Sequence, residues 1–180
     1  MERQVALLRG INVGNSARVS MPELRRLLAC AAYEEFTTHL QSGNIVLAAG
    51  ATGADLEQEL ERLLHDQLKS PIRVVVRDRE QLAAVVEADP LAGVADNPRL
   101  KQVSFLGAEL DPAIAKELKA EAKDLAPERL VVGGREIYTW HPGGIQSSPA
   151  AKLLTDKRLG TTVTARNWNT VTKLLELVTT

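Results

Sequence analysis

The stretch RNWNTVTKLLE at residues 166–176 decides the fold, because an earlier stretch, RDREQLAAVVE at residues 77–87, repeats its pattern. Each begins with an arginine and a polar residue suited to cap a helix, and each then places apolar residues at helical spacing. The matched positions are Arg77 with Arg166, Asp78 with Asn167, Leu82 with Val171, Val85 with Leu174, Val86 with Leu175 and Glu87 with Glu176. Because these matches are few and mostly hydrophobic, the order of elements in each half is the stronger support for duplication.

The order of predicted elements is the same in both halves of the chain. Each half reads strand, helix, strand, strand, helix, strand, followed by an extra helix, which is the order of a ferredoxin-like unit. We therefore predict an α+β fold with two ferredoxin-like (βαββαβ) units in tandem, formed by internal duplication. The predicted subdomains are residues 1–90 and 100–180, joined by a turn-rich connector over 89–99 in which prolines break regular structure.

Local signals mark where the elements begin and end. Ser20 with Glu23 forms a capping box, and Ser148 before Pro149 also starts a helix. Ser42-Gly43-Asn44 predicts a tight turn between two strands, because glycine and asparagine tolerate positive φ. The strands that close the two halves are predicted at 72–76 and 161–164 from their β-branched residues.

The composition argues against several classes of protein, although it leaves room for a local basic patch. The net charge of -1 gives no overall basicity for nucleic acid, and 3% aromatic residues leave few rings for base stacking, which disfavours sequence-specific RNA reading. No apolar run approaches the length of a membrane span, so we expect a cytoplasmic protein without membrane association. Cys30, the only cysteine, lies in an apolar helical run and is predicted to be a buried free thiol.

Three motifs carry a resemblance to a known family. Ala6–Gly14 reads ALLRGINVG, Gln41–Asn44 reads QSGN, and Thr164–Thr170 reads TARNWNT. Together and in this order they resemble the bacterial domain-of-unknown-function family 1697, over essentially the whole chain. The resemblance implies an α+β fold of about this size and implies no function.

The candidate ligand-binding residues are Arg9, Asn12, Ser42, Asn44, Arg166 and Asn169. The glycine-bearing loop that starts at Arg9 follows a strand and precedes a helix, where backbone N–H groups can face an anion. The loop matches no nucleotide-binding fingerprint, so its glycines fit equally a long connection with special backbone angles. Ser42 and Asn44 are favoured as residues that form a tight turn, and the functional alternative is that they donate hydrogen bonds to a ligand. Arg166 and Asn169 stand where a helix start favours an anion.

The predicted ferredoxin-like order also suggests which candidates meet. We expect Ser42–Asn44 near Arg77 and far from Arg9, and we expect Arg166 near the turn at Gly133-Gly134.

These residues support three hypotheses about function. The first is binding of an anionic ligand, a small nucleotide or a nucleic acid strand. The second is an enzyme with a polar pocket between the halves, against which the lack of a visible general base counts. The third is a structural or partner-binding protein in which every motif serves only to cap a helix or to form a turn. The three histidines are scattered along the chain, so we predict no metal site, and we predict no cofactor.

Overall fold

The computed structural model describes residues 1–180, and the first half contains four strands and three helices. In chain order they are β1 (Glu2–Leu8), α1 (Met21–Cys30), β2 (Phe36–His39), β3 (Asn44–Ala49), α2 (Gly53–Leu68), β4 (Val74–Asp78) and α3 (Arg79–Ala88). The second half contains β5 (Lys101–Leu106), α4 (Pro112–Glu121), a 3-10 turn (Ala122–Asp124), β6 (Arg129–Val132), β7 (Glu136–Trp140), α5 (Pro149–Leu153), α6 (Asp156–Leu159), β8 (Val163–Asn167) and α7 (Trp168–Thr179).

The strands form two four-stranded sheets with the orders β2-β3-β1-β4 and β6-β7-β5-β8. Every paired strand runs antiparallel to its neighbour. Two antiparallel sheets combined with seven helices confirm the predicted α+β class.

The chain divides into two compact units. Unit 1 comprises Met1–Ala83 with Lys173–Thr180, and unit 2 comprises Ala84–Thr172. The unit boundaries therefore fall inside α3 and α7, whereas the sequence predicted a connector over 89–99.

The predicted capping residues do begin helices. The Ser20 hydroxyl accepts a hydrogen bond from the Glu23 amide (3.2 Å), and the Ser148 hydroxyl accepts one from the Ala151 amide (2.9 Å). Such side-chain acceptors satisfy N–H groups that a helix start leaves without a partner. In α7 the Asn167 side chain accepts from the Thr170 amide at 2.9 Å, as predicted from the sequence.

Each sheet carries a hydrophobic core on one face. In unit 1, Ala6, Leu8 and Leu47 pack with Leu24 of α1 and Leu60 of α2. In unit 2 the corresponding cluster is formed by Leu106, Leu118, Leu130, Ile137, Ala150, Leu159 and Val163. The alternate strand residues point to the opposite face, and these too are buried: Val5, Leu7, Val75 and Arg77 in unit 1, and Val103, Phe105, Tyr138 and Arg166 in unit 2. Both faces of both sheets are therefore covered.

Two local predictions differ from the structure. The closing strands end later than predicted, so that Arg77 and Arg166 lie within β4 and β8 rather than after them. Strand pairing explains the extension, because Val5 pairs with Arg77 and Val103 pairs with Arg166. Cys30 was predicted to be buried and is exposed, since it lies off the face of α1 that carries Leu24, Leu27 and Leu28.

Candidate functional site

One end of the unit 1 sheet gathers the loop after β1, the β2–β3 turn and the residue before β4. The Leu8 amide donates to the Gly43 carbonyl oxygen and the Arg9 amide donates to the Arg73 carbonyl oxygen, each at 2.8 Å. We call this region, made of residues 9–19, residues 41–44 and Arg73, the loop end. It brings together four of the predicted site residues, Arg9, Asn12, Ser42 and Asn44.

This gathering corrects the predicted placement of the β2–β3 turn. Because β1 and β3 run antiparallel, the end of β1 lies beside the start of β3, and Leu7 pairs with Asn44. Arg77 pairs with Val5, nearer the other end of β1. The turn therefore lies beside Arg9 and away from Arg77, the reverse of the expectation.

The loop after β1 is closed on itself by backbone hydrogen bonds. The Asn12 amide donates to the Ala17 carbonyl oxygen and the Ser16 amide donates to the Val13 carbonyl oxygen, each at 2.9 Å. Gly10 (φ 59°) and Gly14 (φ 52°) have left-handed backbones, and a Cβ added to either would meet no atom within 4 Å. Space is therefore open beside both glycines.

The Asn12 side chain ties this loop to the β2–β3 turn. Its Nδ2 donates to the carbonyl oxygens of Val19 and Gln41, each at 2.8 Å, and its Oδ1 accepts from the Val19 amide at 2.9 Å. Both amide hydrogens and one lone pair are thus used by backbone groups. Asn12 therefore fixes the shape of the loop end.

The β2–β3 turn is tightly packed. Asn44 is fully buried, and its Nδ2 donates to the His39 carbonyl oxygen (2.7 Å) and to the Ser42 hydroxyl (3.0 Å). Gly43 has φ 76°, and a Cβ there would lie 2.6 Å from Ile11 Cδ1. Only glycine combines this backbone with so close a neighbour. Ser42 is half-buried beside it.

Two exposed arginines give the loop end a positive character, and a third is paired with a glutamate. Arg9 and Arg18 are exposed, and the Arg18 guanidinium donates to the Gly14 carbonyl oxygen at 2.9 Å. Arg73 also lies at this end and forms an ion pair with Glu61 at 2.9 Å. A guanidinium presents several donors that suit a carboxylate or a phosphate.

The other predicted site residues, Arg166 and Asn169, belong to unit 2. Arg166 is only 7% exposed and donates through Nη1 to the Thr164 hydroxyl and the Ala165 carbonyl oxygen, each at 2.8 Å. Burial lowers the pKa of Arg166 to about 10, which still leaves it charged at neutral pH. Asn169 is exposed on the first turn of α7.

Arg166 does not lie beside the Gly133-Gly134 turn as predicted. Val103 pairs with both Arg166 and Tyr138 near the start of β5. The turn lies at the end of β5, where the Leu106 amide donates to the Arg135 carbonyl oxygen at 2.9 Å.

Trp168, the first residue of α7, covers a buried lysine in unit 2. Lys101, 3% exposed, places its ammonium 3.6 Å from the centre of the Trp168 ring and also pairs with Asp89. The ring face and the carboxylate together offset the cost of burying the charge.

Sequence reasoning missed a buried polar cluster around His141. Its Nδ1 lies 2.8 Å from Ser148 Oγ and 3.5 Å from Glu128 Oε1, and its Nε2 lies 2.8 Å from Thr139 Oγ1. A nucleophilic relay needs the serine and the carboxylate on opposite ring nitrogens, whereas here both face Nδ1. Ser148 is 2% exposed and already caps α5, so the cluster anchors that helix. The predicted cap at Ser148 was the only sequence signal for it.

No group of three or more histidine, cysteine, aspartate or glutamate side chains is arranged to hold a metal ion. No helix has both the length and the apolar character that crossing a bilayer requires.

Comparison with known proteins decides the family. Residues 1–138 match the family described as "Protein of unknown function (DUF1697)". The chain belongs to the DUF1697 family. It is also similar to the solved structure of a conserved bacterial protein, SP0830, from Streptococcus pneumoniae, with 23% sequence identity and a TM-score of 0.73 over 98% of each chain. At this identity the likeness shows the fold alone. No curated protein matches the chain.

The range matched to DUF1697 contains the whole loop end. Two of the three motifs, Ala6–Gly14 and Gln41–Asn44, lie in it and meet in space through the Asn12–Gln41 hydrogen bond. The third motif, Thr164–Thr170, lies beyond residue 138 and outside the matched range.

Proposed function

We propose that the loop end of unit 1 binds an anionic, phosphate-bearing ligand, a nucleotide or a nucleic acid strand. The observation that carries the proposal is the meeting of Arg9, Asn12, Ser42 and Asn44 at one end of one sheet. These residues come from two motifs that lie about 30 residues apart in the sequence. Such loops on a rigid sheet are where binding residues concentrate.

Charge and space at the loop end both suit such a ligand. Arg9 and Arg18 are exposed there, and the open space beside Gly10 and Gly14 lets a ligand approach the backbone closely. Several N–H groups of this loop already bond within the fold, so the exposed arginines supply the proposed anion contacts. Arg166 and Asn169 stay predicted contacts, and the burial of Arg166 makes the loop end the better first target for experiment.

The competing hypothesis is a purely structural role, because Asn12, Ser42 and Asn44 all hold local structure as well. Arg9 separates the two hypotheses. We expect Arg9→Ala to weaken binding of ATP or a single-stranded oligonucleotide at low salt about tenfold or more, since a hydrogen bond to a charged group contributes about 1.5–3 kcal/mol. Isothermal titration calorimetry measures the loss.

Arg99→Ala is the matched control, because Arg99 is an exposed arginine of unit 2. It should leave the affinity unchanged. Wild-type protein that binds neither ligand, or Arg9→Ala and Arg18→Ala variants that bind as tightly as wild type, would sink the proposal. In the same series, unchanged affinity in Arg166→Ala would remove Arg166 from the ligand contacts.

We also infer that the chain is a tandem duplication of ferredoxin-like units that functions in the cytoplasm. The register of strand pairing within each sheet supports the duplication. Val5 pairs with Val46 and Arg77 in unit 1, and Val103 pairs with Tyr138 and Arg166 in unit 2. In each unit the residue after this arginine caps the helix that follows, and it is Asp78 in unit 1 and Asn167 in unit 2. A buried arginine at the same register is harder to explain by chance than a shared element order.

A further inference from the structure

Two apolar side chains project from the loop end of unit 1. Val13 is 66% exposed and Leu40, which precedes the β2–β3 turn, is 54% exposed. The Asn12 side-chain Nδ2 donates across to the Gln41 carbonyl oxygen at 2.8 Å, so Val13 and Leu40 flank a fixed bridge. An apolar pair held beside a cationic loop is unlike apolar residues scattered singly over a surface.

The backbone holds Leu40 in this exposed position. Leu40 has φ 60°, a left-handed conformation that residues with a branched side chain rarely adopt. The preceding residue is fixed by the hydrogen bond from Asn44 Nδ2 to the His39 carbonyl oxygen at 2.7 Å. The exposure of Leu40 therefore follows from an ordered turn.

Cationic side chains surround the apolar pair. The Arg18 guanidinium donates to the Gly14 carbonyl oxygen at 2.9 Å, directly after Val13. The Arg25 guanidinium donates to the Thr38 hydroxyl at 2.9 Å, two residues before Leu40 in the sequence. The surface thus combines apolar contact area with positive charge on both sides.

We infer that the ligand of the loop end carries an apolar ring system beside its phosphates, so that it is a nucleoside polyphosphate and not a bare polyphosphate. This inference rests on the proposed function. A phosphate gains nothing from contact with Val13 or Leu40, whereas a nucleobase removes apolar surface from water when it packs against them. The arginines and the glycine loop then bind the phosphates.

The test compares ATP with tripolyphosphate, which carries the phosphate chain without base or sugar. Calorimetric titration of wild type should show ATP binding at least about tenfold more tightly than tripolyphosphate, since burying one or two apolar side chains contributes that much affinity. Val13→Ser and Leu40→Asn should each weaken ATP binding about threefold to tenfold and leave tripolyphosphate binding unchanged. Asparagine tolerates the left-handed backbone at position 40, so this variant retains its turn.

Val94→Ser is the matched control, because Val94 is 48% exposed in unit 2. It should change neither affinity. Equal binding of tripolyphosphate and ATP by wild type would overturn the inference and leave the proposed function standing. Failure of both ligands to bind would overturn both. Binding to vesicles of anionic phospholipid that Val13→Ser abolishes, with no binding of ATP, would replace the nucleotide with a lipid surface.

Discussion

At the scale of single residues, Gly43 is the glycine at which an added side chain meets the closest contacts. Its φ of 76° disfavours any side chain, and a new Cβ would lie 2.6 Å from Ile11 Cδ1 and 2.8 Å from Leu8 Cβ. We predict that Gly43→Ala lowers the free energy of unfolding by about 2–4 kcal/mol, combining overpacking with backbone strain. Urea denaturation measures the change.

Gly14→Ala separates the two causes. Gly14 has a similar backbone, with φ 52°, but a Cβ there meets no atom within 4 Å. Its substitution should cost only about 1 kcal/mol, the contribution of backbone strain alone. Equal losses in the two variants would show that the contact with Ile11 and Leu8 is unimportant.

At the scale of elements, the start of α7 depends on Asn167. Its Oδ1 accepts hydrogen bonds from the Thr170 amide (2.9 Å) and the Thr170 hydroxyl (3.0 Å). We predict that Asn167→Ala lowers the free energy of unfolding by about 0.5–2 kcal/mol, the usual contribution of a helix cap. Asn169→Ala, two residues later and exposed, should stay within about 0.5 kcal/mol of wild type. A larger effect at Asn169 than at Asn167 would contradict this assignment.

The sequence predicted the elements well because their signals are local. Capping residues such as Ser20 and Asn167 act on N–H groups three residues away, so they can be identified without the fold. Strand ends were less predictable, because Arg77 and Arg166 join their strands through pairing with β1 and β5, which lie far away in the sequence. The strand propensity of the neighbouring residues does not reveal such distant pairing partners.

The site was only partly predictable for the same reason. The sequence named the loop-end residues one by one as candidate ligand contacts, which stays a prediction, whereas their meeting at one end of a sheet follows from strand direction. The His141 cluster needed Glu128, which reaches His141 and the Ala150 amide only in the folded chain. Nothing in the residues next to Glu128 signals that contact.

At the scale of the whole molecule, two histidines couple stability to pH. Burial lowers the pKa of His141, although Glu128 acts in the opposite direction. Burial, aided by the charge of Lys173, also lowers the pKa of His39. Both folded-state pKa values lie below the ordinary value of about 6.5, so the unfolded chain binds more protons as pH falls below that value.

We therefore predict that the free energy of unfolding decreases between pH 7 and pH 5. The buried His141 contributes at most about 1.4 kcal/mol per pH unit in the interval between its folded and unfolded pKa values, and the more exposed His39 contributes less because solvent screens it. Urea denaturation at several pH values measures the slope, and His141→Gln should flatten it even if the variant is less stable at every pH. A slope unchanged in His141→Gln and in His39→Gln would contradict the prediction.

Because strand pairing has the same register in the two units, corresponding positions of unit 1 and unit 2 can be compared directly. Arg9 donates its amide to the carbonyl oxygen of Arg73, and at the corresponding end of unit 2 Gly107 donates to Thr162 at 2.9 Å. The backbone connection is the same in both places, yet arginines stand at both positions in one and at neither in the other. If the halves share an ancestor, the arginines at these two positions were gained or lost in one copy after the chain doubled. The molecule thus contains its own counterpart of the proposed site without arginines at these two positions, so that a chemistry specific to unit 1 can be sought by comparing the chain with itself.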